Sequence, residues 1–139
     1  MSLEKENISL KKDVKELVRE AERLSQELKK LKLNTTQLRK FHGYLTKIWS
    51  KYIYRKNEYS DHPEVFRKEI LDDIHFMKIF LAYQVGRGQS GVEKLKETLE
   101  PLIDEIENGK DFEKFKKFYD AIVAYHKFYL SKENSEEDK

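Results

Sequence analysis

LNTTQLRKFHGYLTKIWSKYIYRKN, residues 33–57, is the stretch from which the rest of the chain is read. It opens as a helix start. Asn34 can cap, Gln37 can reach back three residues later, and Leu33 can pack on Leu38 as a hydrophobic staple. At 100° per residue Leu38, Phe41, Leu45, Ile48, Trp49 and Tyr52 share one face, as an amphipathic helix requires. Lys40, Lys47, Lys51 and Arg55 fall on a second stripe, with Tyr44 and Tyr54 among them. Six Lys or Arg and no acid lie between Asn34 and Asn57, although the chain has 26 acids in 139 residues. A solvated basic face is the plain reading. A stripe that tracks phosphates is the sharper one and is favoured here, because spaced lysines can follow a polyanion while tyrosines offer stacking faces.

Outward from this stretch, the composition points to helix throughout. Charged residues make up 39% and hydrophobic ones 38%, with five glycines and two prolines to interrupt the chain. That balance suits helices with narrow apolar stripes in one domain-sized unit. The net charge is +2, yet residues 34–57 are basic and residues 91–109 acidic, so the molecule is dipolar. With no cysteine, disulfides and thiolate metal sites are excluded. The absence of a long apolar run or signal-like N-terminus predicts no membrane association and a cytoplasmic location.

Before the basic helix, Leu10, Val14, Leu17, Ala21, Leu24, Leu28 and Leu31 alternate at four and three, a heptad seam that needs cover. The sequence leaves open whether its own bundle or the same helix of a second chain supplies it, and a homodimer through this helix is one expectation. Residues before Ile8 are expected to fray. After it, Glu58 to Pro63 reads as a turn, and a third helix runs to about Gln84. Its second half is apolar nearly all round and is predicted to lie at the bundle centre. Gly86-Arg87-Gly88-Gln89-Ser90-Gly91 ends it. Ser90 with Glu93 reads as a capping box for a fourth helix, which Pro101 should kink or break. Asp111 can cap a fifth, aromatic-rich helix carrying Phe115, Phe118, Tyr119, Ile122, Tyr125 and Tyr129. The predicted class is therefore all-α, a helical bundle of about five helices with a long N-terminal heptad-patterned helix. Its divisions are residues 1–33 for packing or dimerisation, 34–130 for the bundle, and 131–139 as a disordered acidic tail.

Chemistry-bearing motifs are scarce. Gly86-Arg87-Gly88 is too short for a nucleotide fingerprint and follows no strand. His42, His62, His75 and His126 share no metal spacing, and Asp72, Asp73 and His75 point to different faces of a helix. His126 reads as a hydrogen-bonded core or boundary group, and Gly43 as a point of close helix–helix approach. No cofactor, metal or catalytic residue is expected, and the chain reads as a binder, not an enzyme.

Two strings carry a family resemblance when taken together. LNTTQLRKF at residues 33–41 and KIFLAYQVGRG at residues 78–88 resemble the small subunit of type III-A CRISPR effector complexes, the Csm complexes. FEKFKKFYDAIVAYHKFY at residues 112–129 is similar to that family's terminal helix. The resemblance implies a small, all-helical, non-catalytic subunit present in several copies. These copies line a filament opposite the backbone subunits that hold the guide RNA, and help seat the single-stranded target RNA. It further implies that target RNA cutting belongs to the backbone subunit, and single-stranded DNA cleavage and cyclic oligoadenylate synthesis to the large subunit. Carried across by motif, RNA contacts fall on Arg39, Lys40, Lys78 and Arg87; the helical stripe adds Lys47, Lys51 and Arg55. Gln84-Val85 stands where small residues are usual, and the heptad helix matches no family motif.

The expected partners are thus single-stranded target RNA and the guide RNA–target duplex, the backbone and large subunits, and neighbouring copies of the same chain. A helical homodimeric scaffold without a nucleic-acid role and a metal-free ribonuclease are the alternatives.

Overall fold

The computed structural model of the chain describes residues 8–137, and among these every regular element is helical. The fraying expected before Ile8 lies outside the described residues, as do the last two residues of the expected tail. Helix α1 spans Val14–Lys30 and α2 spans Thr35–Tyr54. The short α3 (Lys56–Asp61) and α4 (Pro63–Phe66) follow, and α4 passes through a π-helical turn, Arg67–Leu71, into α5 (Asp72–Gly86). Helices α6 (Val92–Glu105) and α7 (Gly109–Glu137) complete the chain.

The heptad seam begins later than its leucines suggest. Asp13 caps α1 by accepting from the Glu16 amide at 2.9 Å, so Leu10 lies in a turn ahead of the helix. That turn is pinned to α6 and α7. Glu105 accepts from the Ser9 hydroxyl and the Leu10 amide at 2.9 and 2.8 Å, and Lys114 donates to the Leu10 and Lys12 carbonyls. Leu17, Ala21, Leu24 and Leu28 are buried, and α1 packs along α7 of the same chain. The middle of the seam is thus covered from within, while Val14 and Leu31 at its ends stay exposed. Lys32, in the left-handed region at φ 67°, and the Leu33 amide bonded to the Leu28 carbonyl close α1 in the manner of a Schellman turn.

Helix α2 starts at the predicted Asn34 cap, but Gln37 does not reach back, its buried Oε1 accepting no hydrogen bond. Asn34 accepts from the Gln37 amide at 2.9 Å, and Leu33, Leu38, Phe41, Leu45, Ile48 and Tyr52 are buried. Trp49 is only partly buried, packed against the core edge beside Phe112. The stretch from Glu58 to Pro63, expected to be a turn, is mostly helical, and the chain breaks instead at Arg55 and at His62.

Phe66, Ile70 and Ile74 are all buried through the π-helical turn, at four-residue steps. Beyond it, α5 does not occupy the bundle centre. It packs on α2 and α6, and its outer side exposes Phe76, Ile79 and Tyr83. The central position belongs to α7, which buries Phe112, Phe115, Phe118, Tyr119 and Ile122 and touches α1, α2, α3 and α6.

Three end signals resolve differently from their sequence reading. Gly91 at φ 80°, not Ser90 with Glu93, starts α6, and a Cβ there would meet the Leu33 Cβ at 2.7 Å. Backbone proximity outweighs the capping box. Helix α6 continues through Pro101 to Glu105, because Leu99, Leu102 and Ile103 around the proline are fully buried. Asn108 caps α7 by accepting from the Asp111 amide at 3.0 Å, while Asp111 accepts from the Glu107 amide, so Asp111 is the reciprocal partner and not the cap. At its far end α7 stays helical to Glu137, past the point where a disordered tail was expected.

Candidate nucleic-acid interface

The stripe divides along the length of α2. As far as its thirteenth residue, Lys47, the cations Arg39, Lys40 and Lys47 are exposed, and no acid among the described residues pairs with them. Lys40 and Lys47 fall within about 20° of one another around the axis. Gly43 lies between them and Arg39, and a Cβ built there would meet nothing within 4 Å. No packing contact explains this glycine, so its expected role in helix–helix approach is not what the fold uses. Tyr44, half exposed, sits at the edge facing α5 with its ring 5.1 Å from that of Phe80.

Towards the C-terminal end the same residue types are engaged internally. Lys51 donates to the Glu69 carbonyl at 2.9 Å and pairs with Asp73 at 3.1 Å. Arg55 pairs with Glu58 and Glu69, and its guanidinium lies 5.5 Å from the Tyr59 ring centre. Glu69 is held below the usual carboxylate range, first by the Tyr59 hydroxyl bond and then by Arg55. Burial, with help from Glu69, pushes the Tyr59 phenol up to about 12. Nearby, burial pushes the Glu113 carboxyl up, but bonds from Tyr52 and Lys56 outweigh it and keep it low. These groups form a structural knot joining α2, α3, the π-helical turn and α7. Lys51 and Arg55, expected to contact RNA, are thus engaged with acids of the same chain.

The two cations from the second string are also separated. Lys78, which the family resemblance marks for RNA contact, faces α6 and pairs there with Asp104. Arg87 is exposed at the C-terminal end of α5, with its guanidinium 5.8 Å from the Tyr83 ring centre and no acid partner among the described residues. Of these cations, Arg39, Lys40, Lys47 and Arg87 have no acid partner among the described residues, while Lys51, Arg55 and Lys78 are paired.

Features the sequence concealed include Arg67 and Lys68, exposed on the π-helical turn without an acid partner among the described residues. The His42–Asp120 pair at 2.9 Å, 78 residues apart, is another; Asp120 is shared with Lys116. It carries no second histidine. His126 bonds to the Leu33 carbonyl, His62 neighbours Glu64, and His75 neighbours Asp104. His126 is buried as expected, and burial lowers its pKa. Among the described residues no three His, Asp or Glu converge as metal ligands, and no helix is long and apolar enough to cross a membrane.

Fold and surface together define a small helical module whose distinguishing feature is a free basic helix face. Comparison with known proteins is specific about its class. A family model described as Csm2 type III-A matches residues 11–132. A Streptococcus thermophilus protein described as "CRISPR system Cms protein Csm2" is 28% identical over 103 residues, covering 73% of this chain and 76% of that protein. The chain belongs to the Csm2 type III-A family, a small subunit of the Csm complex.

Proposed function

We propose that this subunit holds the phosphates of single-stranded target RNA through Arg39, Lys40 and Lys47, without reading bases and without catalysing cleavage. Within the complex, sequence would be read by guide–target pairing, while the protein supplies charge and shape. The observation that carries this reading is the set of three exposed α2 cations with no acid partner among the described residues, around a glycine that leaves the helix backbone open. Glycine inside a helix costs about 1 kcal/mol relative to alanine. An open glycine amid cations is what close approach of a sugar-phosphate chain needs. Family membership supports the setting: neighbouring copies, the backbone subunits and the large subunit are the protein partners.

A single subunit binds weakly, and neighbouring copies on one strand add avidity. Three phosphate contacts on a single strand give a log–log salt slope of roughly −2, at ~0.7 per contact. Fluorescence anisotropy with labelled single-stranded RNA across a salt series tests this. Affinity that does not change with salt would remove the phosphate reading.

A further inference from the structure

A cavity of about 450 Å³ opens where the start of α7 meets α3 and the end of α2, and none of Arg39, Lys40 and Lys47 lines it. Gly109, the first residue of α7, sets how close the walls stand, since a Cβ there would overlap the Tyr52 hydroxyl. Tyr52, Tyr59 and Phe66 form the floor. The two tyrosine rings lie parallel with 6.0 Å between centroids, and Phe66 stands edge-on to both. All three residues are buried, so the floor is aromatic and fixed before any ligand arrives. Over it, a carboxylate and an ammonium stand side by side. The Tyr52 hydroxyl and the Lys56 ammonium both reach Oε2 of Glu113, at 2.8 and 3.0 Å. No hydrogen bond among the described residues ends on Glu113 Oε1, and the half-exposed Lys56 keeps further N–H donors.

The lining charges balance. Glu107 and Glu113 disfavour a bare anion, and Lys56 and Lys110 a bare cation. What fits is a neutral, flat body whose edge sets a hydrogen-bond donor beside an acceptor. A tyrosine or tryptophan side chain from another protein offers a ring with one polar group, and an amide side chain offers both groups without a ring. A nucleobase offers all three, and bases are commonly held by aromatic side chains and bonds to their Watson–Crick edges. We propose that this cavity takes a nucleobase, guanine best, with its N–H edge on Glu113 Oε1 and its carbonyl oxygen on Lys56. Guanine sets two N–H donors next to that oxygen. Uracil flanks its single N–H with two carbonyls, and the second would face a carboxylate. The base can belong to a free nucleoside or to an RNA strand. Because the cavity shares no residue with the three α2 cations, either reading can fail while the other stands.

Titration of the full, isotope-labelled chain with guanosine, followed by amide chemical shifts in NMR, tests this directly. The Gly109, Lys110 and Glu113 amides should shift and saturate, at lower concentration for guanosine than for uridine. Tyr52 and Lys56 both donate to Oε2, so Glu113→Gln turns its oxygen to them and its NH2 towards the base. That variant should raise the guanosine dissociation constant about tenfold or more. Lys56→Met, which leaves the Tyr52–Glu113 bond in place, should weaken guanosine similarly and serves as the test if Glu113→Gln unfolds. Lys40→Glu with Lys47→Glu should leave guanosine binding unchanged. Competition with labelled single-stranded RNA separates the two sources: displacement by guanosine assigns a base of the strand, and independent binding a free nucleoside. No saturable shift at these amides, uridine binding as tightly as guanosine, or a folded Lys56→Met variant binding like wild type would each overturn the proposal.

Discussion

The two ends of α2 carry the same kinds of residue and do different work. As far as Lys47, the cations Arg39, Lys40 and Lys47 are exposed with no acid partner among the described residues. Near its end, Lys51 and Arg55 are committed to Asp73, Glu58 and Glu69. The acids that make this difference come from α3, the π-helical turn and α5. Which of these cations is paired is therefore decided by the helices that pack beside them.

Several substitutions would break or sharpen this contrast. The largest effect on stability is expected from Lys51→Glu with Arg55→Glu, which sets two new carboxylates beside Asp73, Glu58 and Glu69. Its thermal midpoint should fall well below wild type. A midpoint matching wild type would mean the knot is a surface decoration worth little, as many exposed ion pairs are.

Acid should act on the two ends in separate windows. His126 bonds to the Leu33 carbonyl just before α2, and burial depresses its pKa below the ordinary 6.5. The unfolded chain then binds the extra proton more readily, so this stabilisation is present above that value and declines as pH falls below it. Glu69, at the other end, is depressed below 4.5, so its contribution is full above that value and disappears as pH falls through the folded value. Melting curves should show an upper decline that His126→Gln removes, and a lower one that Lys51→Glu with Arg55→Glu reduces. A single acid transition unaffected by His126→Gln would contradict the assignment.

The smallest effect should come from Gly43→Ala. With nothing within 4 Å of the new Cβ, the helix should gain roughly 0.5–1 kcal/mol. RNA affinity should nevertheless drop, because the methyl stands where the strand approaches. A variant that gains stability and binds RNA unchanged would remove the glycine from the interface.

Much of the fold could be read directly. The Asn34 cap and the buried line from Leu38 to Tyr52 are local patterns, and local patterns survive folding. The α1 seam was readable as apolar, but its cover was not, since α7 lies some 80 or more residues away in the chain. The misreading of α5 has a physical origin. A helix apolar on all sides suggests the bundle centre, but the aromatic side of α7 fills that place, leaving Phe76, Ile79 and Tyr83 outside. The candidate site was half legible. Periodicity placed Lys40, Lys47, Lys51 and Arg55 on one stripe and the resemblance added Arg39, whereas the partners of Lys51, Glu69 and Asp73, lie 18 and 22 residues further on.

Binding of single-stranded RNA by Lys40→Glu with Lys47→Glu, measured across a salt series beside Lys51→Glu with Arg55→Glu, tests the central claim most directly. The first variant should keep its melting curve, lose most of its affinity and show a salt slope shallower by about 1.4, the share of two phosphate contacts. The second should keep the wild-type slope at temperatures where it is folded. If Lys40→Glu with Lys47→Glu binds RNA with the wild-type affinity and slope, the exposed end of α2 does not hold the strand.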